Sequence, residues 1–370
     1  MNEAIEKSIT LILLIVLGVA LKSKFGHKEK VNGLKEIVLS VALPATIFIA
    51  LMKIHLDITL ILVPIAALAF NFFMYTLSPV AFGWFGIRKE GKTARTLQML
   101  LPSLAPGLSC FPLISEFLGE DSLAMAAMAD VGNKFFVLIF LYLFALNLYL
   151  ANTHSKRTPV TQKIKSLLLN MIQEPINLIM FIALGLISVG LDYQHMPGIV
   201  QEFFDKTAAM MTPLVLLFIG LAVQWKEGKK RLVLSMLVFR AGLTMLFSSL
   251  LIWLTGLHDP SMILLAIVIP LSSASFWPFA HISTFHLLEE QKELPKERHT
   301  FDMSLAVLVL ALSLPFSTLL ILGILSTGTF FAHIPVLMTT GLALILLSLT
   351  PRWVKKWIQK RPALQVYFRK

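Results

Sequence analysis

Apolar segments of about 20 residues recur along almost the whole chain, and they restrict its fold more than any other feature. A helix of that length crosses the hydrocarbon core of a bilayer. The predicted spans are residues 5–21, 34–54, 58–86, 95–119, 122–149, 168–191, 207–224, 232–256, 260–288, 300–325 and 332–350. Charged residues make up 14% of the chain, whereas soluble proteins carry about 25%. The sequence therefore predicts an all-α integral membrane protein with eleven spans.

The basic residues predict the orientation in the membrane. Most of the 32 Lys and Arg residues lie in alternate loops, after spans 1, 3, 5, 7 and 9, and in the tail after span 11. Cytoplasmic loops are enriched in Lys and Arg, so the N-terminus is predicted outside and the C-terminus inside. The net charge of +11 then faces anionic membrane lipids rather than nucleic acid. We expect a multi-pass protein of a bacterial inner (cell) membrane.

The residue pattern predicts neither a cofactor nor an enzyme. Cys110 is the single cysteine, which excludes an intramolecular disulfide and a multi-cysteine metal site. No His/Cys cluster has the spacing of a zinc site. The sequence contains no HExxH and no G-x-S-x-G motif, which would mark hydrolytic enzymes. Any transport is expected to draw on an ion gradient or the membrane potential.

Two halves of the sequence repeat the same features in the same order. The matching features are Pro44 with Pro213, the Pro106–Gly107 break with the Pro270–Pro278 break, and Asp130 with Asp302. Five spans are an odd number, so the second half is predicted to lie upside down relative to the first, as in secondary transporters. The predicted units are residues 1–151, the inverted repeat 152–325, and an extra span with a basic cytoplasmic tail, 326–370.

The interrupted spans 4 and 9 are predicted to cross at the membrane midplane and to form a substrate site. A broken helix exposes backbone groups that lipid cannot satisfy, so the break must face protein or a water-filled cavity. The N-termini of the half-helices would also attract an anionic group. The predicted substrate-binding residues are Pro106, Gly107, Ser109, Cys110, Pro112, Asp130, Asn133, Lys134, Arg240, Ser272, Ser273, Ser275 and Trp277.

Several of these residues admit two interpretations. Asp130 and Lys134 share one helical face and form either a stabilising pair or a substrate or proton site. Arg240 either clamps a carboxylate or extends toward the cytoplasmic interface. His281 either couples transport to protons or makes a structural hydrogen bond. Trp277 either caps an aromatic pocket or packs against neighbouring helices, and the serines either satisfy freed backbone groups or line a polar cavity.

Three segments carry motifs of a known family: FPLISEFLGEDSLAMAAMADVGNKFFV, KIKSLLLNMIQEPINLIMFIALGLISVGL and MTPLVLLFIGLAV. In this order they resemble the auxin efflux carrier family of permeases, which is similar in fold to sodium/bile-acid symporters. The resemblance implies ten spans in two inverted five-span repeats, crossed broken helices 4 and 9, and a homodimer through scaffold spans 1, 2, 6 and 7. It also implies small organic anions as substrates, such as auxin, malate or malonate-like acids.

The chain departs from the family pattern at the expected site. Ala105 and Trp277 stand where the family often has asparagine, Cys110 where it has glycine, and Ser273 where it has the crossover proline. The predicted function is a secondary active transporter of a small mono- or dicarboxylate, working by alternating access with proton or sodium as coupling ion. The alternative is a membrane sensor or scaffold of the same fold that binds ligand without transporting it.

Overall fold

Helices form nearly all of the chain that the structure describes. The computed structural model describes residues 3–53, 59–153, 165, 168–169, 172–222 and 229–359. Within these ranges there is no β-strand, and the only extended pairing is an isolated antiparallel bridge between Ala105 and Ser273. The predicted basic tail from residue 360 onward and the predicted basic loop at 154–164 lie outside the described residues.

Twelve helices are used in the description below. They are α1 (Glu3–Ala20), α2 (Lys28–Ile37, continued by a π-helical turn Val38–Ala42 and by Leu43–Lys53), α3 (Thr59–Ala81), α4 (Lys92–Leu100), α5 (Phe111–Phe135, continued by a π-helical turn Phe136–Phe140 and by Leu141–Thr153), α6 (Pro175–Ser188), α7 (Gly198–Ala209 and Met211–Ala222), α8 (Lys230–Thr255), α9 (Pro260–Val268), α10 (Phe276–Gln291), α11 (Met303–Ser326) and α12 (Ile334–Gln359). Short helical turns are Lys22–Phe25, Phe82–Phe85, Pro106–Ser109, Tyr193–His195, Lys296–Arg298 and Phe330–Ala332.

Six helical segments in the described ranges are long and apolar enough to cross a membrane. They are Glu29–Lys53, Leu62–Phe85, Phe111–Thr153, Gly198–Ala222, Lys230–Thr255 and Met303–Ser326, and two shorter apolar helices are Pro175–Ser188 and Ile334–Thr350. This architecture is that of an all-α, multi-pass membrane protein. The eleven predicted spans outnumber these segments partly because predicted spans 4 and 9 are interrupted, so that their initial halves are only nine residues long.

The first interruption, residues 101–105, separates α4 from the turn Pro106–Ser109 and from α5, and we call it the first break. Pro106 occupies the first position of its helical turn, where the missing N–H of proline costs no hydrogen bond. Gly119 lies inside α5 with φ 82° and ψ −174°, a conformation that glycine adopts without a Cβ penalty. It divides α5 where predicted span 4 ends and span 5 begins.

The second interruption, residues 269–275, separates α9 from α10, and we call it the second break. Ser275 caps the N-terminus of α10, because its hydroxyl accepts a hydrogen bond from the amide of Trp277 at 3.3 Å. Pro278 lies inside the first turn of α10 and not in the break itself. Both breaks are therefore followed by a proline near the start of the next helical segment, where proline is tolerated.

Two buried hydrophobic clusters lie on either side of the breaks. One cluster includes residues of α2, α7 and α9 and also Leu104, and the other includes residues of α4, α10 and α11 and also Leu101. The first break thus contributes to both clusters. A close contact fixes α12 on α8, because Gly242 and Gly341 lie so near each other that a Cβ on Gly242 would collide with the backbone of Gly341. Small residues allow such close packing of membrane helices.

Candidate functional site

The two breaks lie against each other and exchange hydrogen bonds. The amide of Ala105 donates to the carbonyl oxygen of Ser273 at 2.8 Å. The amide of Ser273 in turn donates to the hydroxyl oxygen of Ser109 at 2.9 Å. Backbone groups that the helices leave without partners are thereby satisfied inside the protein, as they must be at membrane depth.

Serine hydroxyls satisfy most of the other freed amides of the second break. The amide of Ser275 donates to the hydroxyl of Ser103 at 2.9 Å, and the amide of Ala274 donates to the hydroxyl of Ser313 at 3.3 Å. The predicted role of serines as partners for freed backbone groups is seen in these contacts. Ser272 differs, because its buried hydroxyl has no hydrogen-bond partner within the described residues.

Arg240 holds the carbonyl side of both breaks together. Its guanidinium donates to the carbonyl oxygens of Leu101 (2.8 Å), Ser272 (2.8 Å), Ser103 (3.2 Å) and Pro270 (3.4 Å). Arg240 is 3% exposed. In the described part of the chain, these four carbonyls and no carboxylate are its partners.

These contacts explain how a buried cation is tolerated without a carboxylate partner. The four carbonyls lie just beyond the C-terminal ends of α4 and α9, and each helix C-terminus carries roughly half a negative charge. Two such ends together balance about one guanidinium. The N-terminal end of α10, which follows the second break directly, and that of α5, which follows the first break after the turn Pro106–Ser109, keep their partial positive charge. Arg240 therefore separates the crossing into a neutralised carbonyl side and a positive amide side.

A chain of amide side chains runs from the first break to a buried carboxylate. Asn133 donates to the carbonyl of Leu104 at 2.9 Å and accepts from its amide at 3.0 Å. Asn133 also donates to Asp130 at 2.8 Å. Asn71 donates to the carbonyl of Pro102 at 2.7 Å and to Asn133 at 3.2 Å. The backbone of the first break is thus connected through Asn133 to the ionisable side chains of α5.

Asp130 belongs to a buried group of one ammonium and two carboxylates, which we call the Lys134 cluster. The Nζ atom of Lys134 lies 2.9 Å from Glu174 and 3.3 Å from Asp130. It also donates to the side-chain oxygen of Asn177 at 2.9 Å. The Lys134 side chain is 4% exposed and that of Glu174 21%. The predicted Asp130–Lys134 pair is present, and Glu174 from the start of α6 completes it.

The remaining predicted site residues line the packed crossing. Cys110 is fully buried, and its thiol donates to the carbonyl oxygen of Val268 at 3.5 Å. Gly107 lies so close to Leu43 that a Cβ would be 2.8 Å from its methyl group. Pro106 and Pro112 are buried, and Trp277 is half-buried against the hydrophobic cluster of α10 and α11. His281 of the same helix bonds to the carbonyl of Val137 at 2.9 Å.

A separate cavity of about 600 Å³ is lined by residues of α1, α2, α5 and α7. Its lining residues are Glu6, Lys7, Thr10, Leu11, Leu14, Thr46, Ile49, Ser115, Glu116, Glu120, Asp205, Ala208, Ala209, Met211, Thr212 and Pro213. None of the predicted substrate-binding residues lines this cavity. Its side chains include four carboxylates and one ammonium, so its electrostatic character is acidic.

Sequence reasoning missed three residues near the site. Glu174 and Asn177 complete the Lys134 cluster. The sequence feature that could have indicated them is an acidic residue, Glu174, directly before Pro175 at the start of a helix. Lys35 belongs to the basic group after predicted span 1, yet its Nζ lies 4.3 Å from the ring centre of Phe276. It is half-buried, and the described residues place no carboxylate within ion-pair distance of it. A cation therefore lies beside the N-terminus of α10.

Comparisons with known proteins add no identity to this geometry. No family model matches the chain, and no curated protein matches it either.

Proposed function

We propose that this chain is a secondary active transporter of a small organic anion that works by alternating access. The proposal includes an inverted repeat of five plus five spans, α12 as the additional span, and an N-terminus outside with the C-terminus in the cytoplasm. It also includes the relationship to auxin efflux carriers that the sequence motifs suggest. Residues 1–151 and 152–325 would be the two repeats, and a small mono- or dicarboxylate would be the substrate.

One observation carries the proposal: two interrupted helical segments from different halves of the chain meet at their breaks. The bridge between Ala105 and Ser273 joins them directly. Such breaks cost backbone hydrogen bonds, and transporters place them at substrate sites near the midplane. The breaks here recur at matching positions of the two predicted repeats, which supports a shared functional purpose rather than an isolated proline kink.

The positive amide side of the crossing favours an anion as the substrate. Arg240 neutralises the carbonyl side, so the N-terminal ends of α5 and α10 retain their positive field. Lys35 adds an ammonium beside Phe276, the first residue of α10. We assign Lys35 as a substrate-contacting residue, and Arg240 as a residue that holds the breaks in position. The acidic cavity lined by α1, α2, α5 and α7 is a less suitable anion site, because its carboxylates repel a negative ligand.

The Lys134 cluster supports protons as the coupling ion. With all three groups ionised, Asp130, Lys134 and Glu174 carry one net negative charge in a largely buried site. A single proton would neutralise this charge, and Asn133 connects the cluster to the first break. Intramembrane ionisable groups of this kind form proton relays in transporters. Protonation of the cluster would thus be linked to the position of the break that faces the substrate.

Flux measurements with reconstituted protein test the proposal. Vesicles would be loaded with malate, malonate, other short carboxylates, indole-acetate or a neutral solute, with and without a pH gradient. We expect saturable anion uptake that the pH gradient stimulates. Lys35→Gln should lower uptake at least tenfold, whereas Lys30→Gln should leave it unchanged, because Lys30 is exposed and its partners in the described part of the chain are the Lys24 carbonyl and the Phe25 ring. Equal flux in both variants would remove Lys35 from the site.

A second candidate is a sensor or scaffold that binds the anion without moving it. The four hydrogen bonds from Arg240 to both breaks favour this candidate, because they resist the rearrangement that alternating access requires. The same vesicles separate the two functions. Saturable binding of a carboxylate with no flux under any gradient would support the sensor and contradict the transporter.

A further inference from the structure

Three potential metal ligands lie together at the end of α10, away from the crossing. His286 and Glu289 are three residues apart and therefore share one face of α10. His299 follows in the loop before α11. One ligand atom from each residue lies within 4.8 Å of the others. The sequence spacing predicted no zinc site, because His299 is brought to α10 only by the fold of this loop. We call these three residues the His–Glu cluster.

The Nδ1 atoms of the two imidazoles face each other, while each Nε2 lies near an acceptor oxygen. The Nε2 atom of His299 lies 2.9 Å from the carbonyl oxygen of Leu294, and that of His286 lies 3.3 Å from a carboxylate oxygen of Glu290. Both partners are hydrogen-bond acceptors, and both lie on the Nε2 side of their ring. The two Nδ1 atoms face each other 3.0 Å apart. Both imidazoles can therefore reach one metal ion between them, while each Nε2 stays directed at its acceptor.

Glu289 brings a buried negative charge to the His–Glu cluster. Its side chain is fully buried. Its two oxygens accept from the amide of Thr300 at 3.0 and 3.1 Å, and one also accepts from the Thr300 hydroxyl. In the described part of the chain it forms no ion pair. A buried carboxylate without a cation is costly, and Glu290 adds a second negative charge nearby. A divalent ion would balance both charges.

We propose that His286, Glu289 and His299 bind a divalent transition metal of the zinc type. Two imidazoles and one carboxylate are a ligand set that zinc uses in proteins, and tetrahedral zinc at about 2.05 Å from each nitrogen places the two nitrogens roughly 3.3 Å apart. The Nδ1 separation is close to this value. Leu294 and Glu290 supply the outer acceptors that usually orient metal-bound imidazoles.

The metal would attach the loop before α11 to the end of α10. His299 is the ligand that the loop contributes, and Asn152 at the end of α5 already binds this loop by donating to the carbonyl of Arg298 at 2.6 Å and to the hydroxyl of Thr300 at 3.1 Å. The three helices meet at this position. The site is independent of the proposed transport activity, because none of its residues belongs to the crossing or to the Lys134 cluster.

Metal titration of the full-length protein tests this proposal. Protein in detergent would be treated with a chelator and titrated with Co²⁺, whose visible absorption reports nitrogen and oxygen ligands, and then with Zn²⁺ as competitor. We expect one Co²⁺ per chain and its displacement by Zn²⁺. His299→Ala should weaken binding about 100-fold, and Glu290→Ala, which removes an outer acceptor, about tenfold. His258→Ala is the matched control, because this exposed histidine lies outside the cluster and should leave binding unchanged.

Thermal stability gives a measurement that requires no variant. Zn²⁺ added to the chelated wild-type chain should raise its melting temperature, because the metal binds only the folded site. The proposal is overturned if the wild-type chain binds neither Co²⁺ nor Zn²⁺, which would mean that a proton alone lies between the two imidazoles. It is also overturned if His299→Ala binds Co²⁺ as tightly as His258→Ala does.

Discussion

Two buried cations occupy the predicted site, and they are held in opposite ways. Among the described residues, the polar partners of the Arg240 side chain are backbone carbonyls, which come from both breaks. Those of the Lys134 side chain are other side chains, namely two carboxylates and an amide. The two residues have almost the same exposed fraction, 3% for Arg240 and 4% for Lys134. Their difference therefore lies in the chemistry of their partners and not in burial.

This difference separates a structural cation from an adjustable one. The partners of Arg240 are backbone groups, which cannot change their charge. The partners of Lys134 are two carboxylates that can bind protons, so the charge of that cluster can change during a reaction cycle. We therefore infer that Arg240 maintains the crossing, while the Lys134 cluster responds to protons. The following predictions test the distinction in order of decreasing effect on stability.

Removal of the Arg240 charge should have the largest effect. Arg240→Met should lower the free energy of unfolding by about 4 kcal/mol, because several buried carbonyls lose their donors at once. Unfolding in mixed detergent micelles measures this loss. Arg240→Lys should recover only part of it, since an ammonium cannot reach four carbonyls in the geometry of a guanidinium. If Arg240→Met were as stable as the wild type, Arg240 could not be the residue that holds the breaks.

Removal of the Lys134 charge should cost about 3 kcal/mol, because two partly buried carboxylates lose their cation. Neutralising the two carboxylates as well should restore most of the lost stability. Lys134→Met combined with Asp130→Asn and Glu174→Gln should return to within about 1 kcal/mol of the wild type, since a neutral set has no unpaired charge to bury. The same measurement in micelles applies. A triple variant as unstable as Lys134→Met alone would contradict the assignment of Asp130 and Glu174 as the charge partners of Lys134.

Serines of the crossing provide a smaller and internally controlled test. Ser103→Ala should cost about 1–2 kcal/mol, because the buried amide of Ser275 loses its acceptor. Ser272→Ala is the matched control in the opposite break, since the Ser272 hydroxyl has no partner in the described residues, and its loss should change stability by less than about 0.5 kcal/mol. Equal losses in both variants would show that the assigned hydrogen bonds do not stabilise the crossing.

The smallest predicted change in stability concerns an ion pair near the surface, between Asp302 and Lys229. Asp302 caps α11, and its carboxylate lies 2.9 Å from Lys229. Burial alone raises the pKa of Asp302, but hydrogen bonds from Lys229 and from the Leu305 amide, together with the charge of Lys229, lower it below the ordinary value of 3.8. The ionised carboxylate is therefore favoured in the folded chain, and its contribution to stability is complete above pH 3.8 and decreases as the pH falls through the lower folded value.

The corresponding variant is Asp302→Asn, which keeps a capping side chain but removes the charge. It should lose about 0.5 kcal/mol at neutral pH. The difference in melting temperature between wild type and variant should disappear as the pH is lowered below 3.8. A difference that persists unchanged in acid would assign the effect to the cap rather than to the charge.

Part of this organisation could be predicted because it depends on local sequence. Proline and glycine restrict the backbone wherever they occur, so both breaks were located within a few residues. The i, i+4 spacing of Asp130 and Lys134 on one helix was enough to predict that the two side chains share a face, either as a stabilising pair or as a site. The role of Arg240 could not be obtained in this way, because an arginine offers the same donors to a ligand carboxylate and to backbone carbonyls.

The sequence by itself determined that this is an all-helical membrane protein with two interrupted helical segments, because apolar length and proline position act through the chain's own neighbours. Only the tertiary structure decided which groups meet across the breaks. Ser103 and Ser275 lie far apart in the chain, as do Lys134 and Glu174, whereas His286 and His299 lie on successive elements joined by a loop. Nothing in local spacing encodes the contacts of these pairs. Packing of separate helices brings each pair together, so the partners of the ionisable groups follow from the fold.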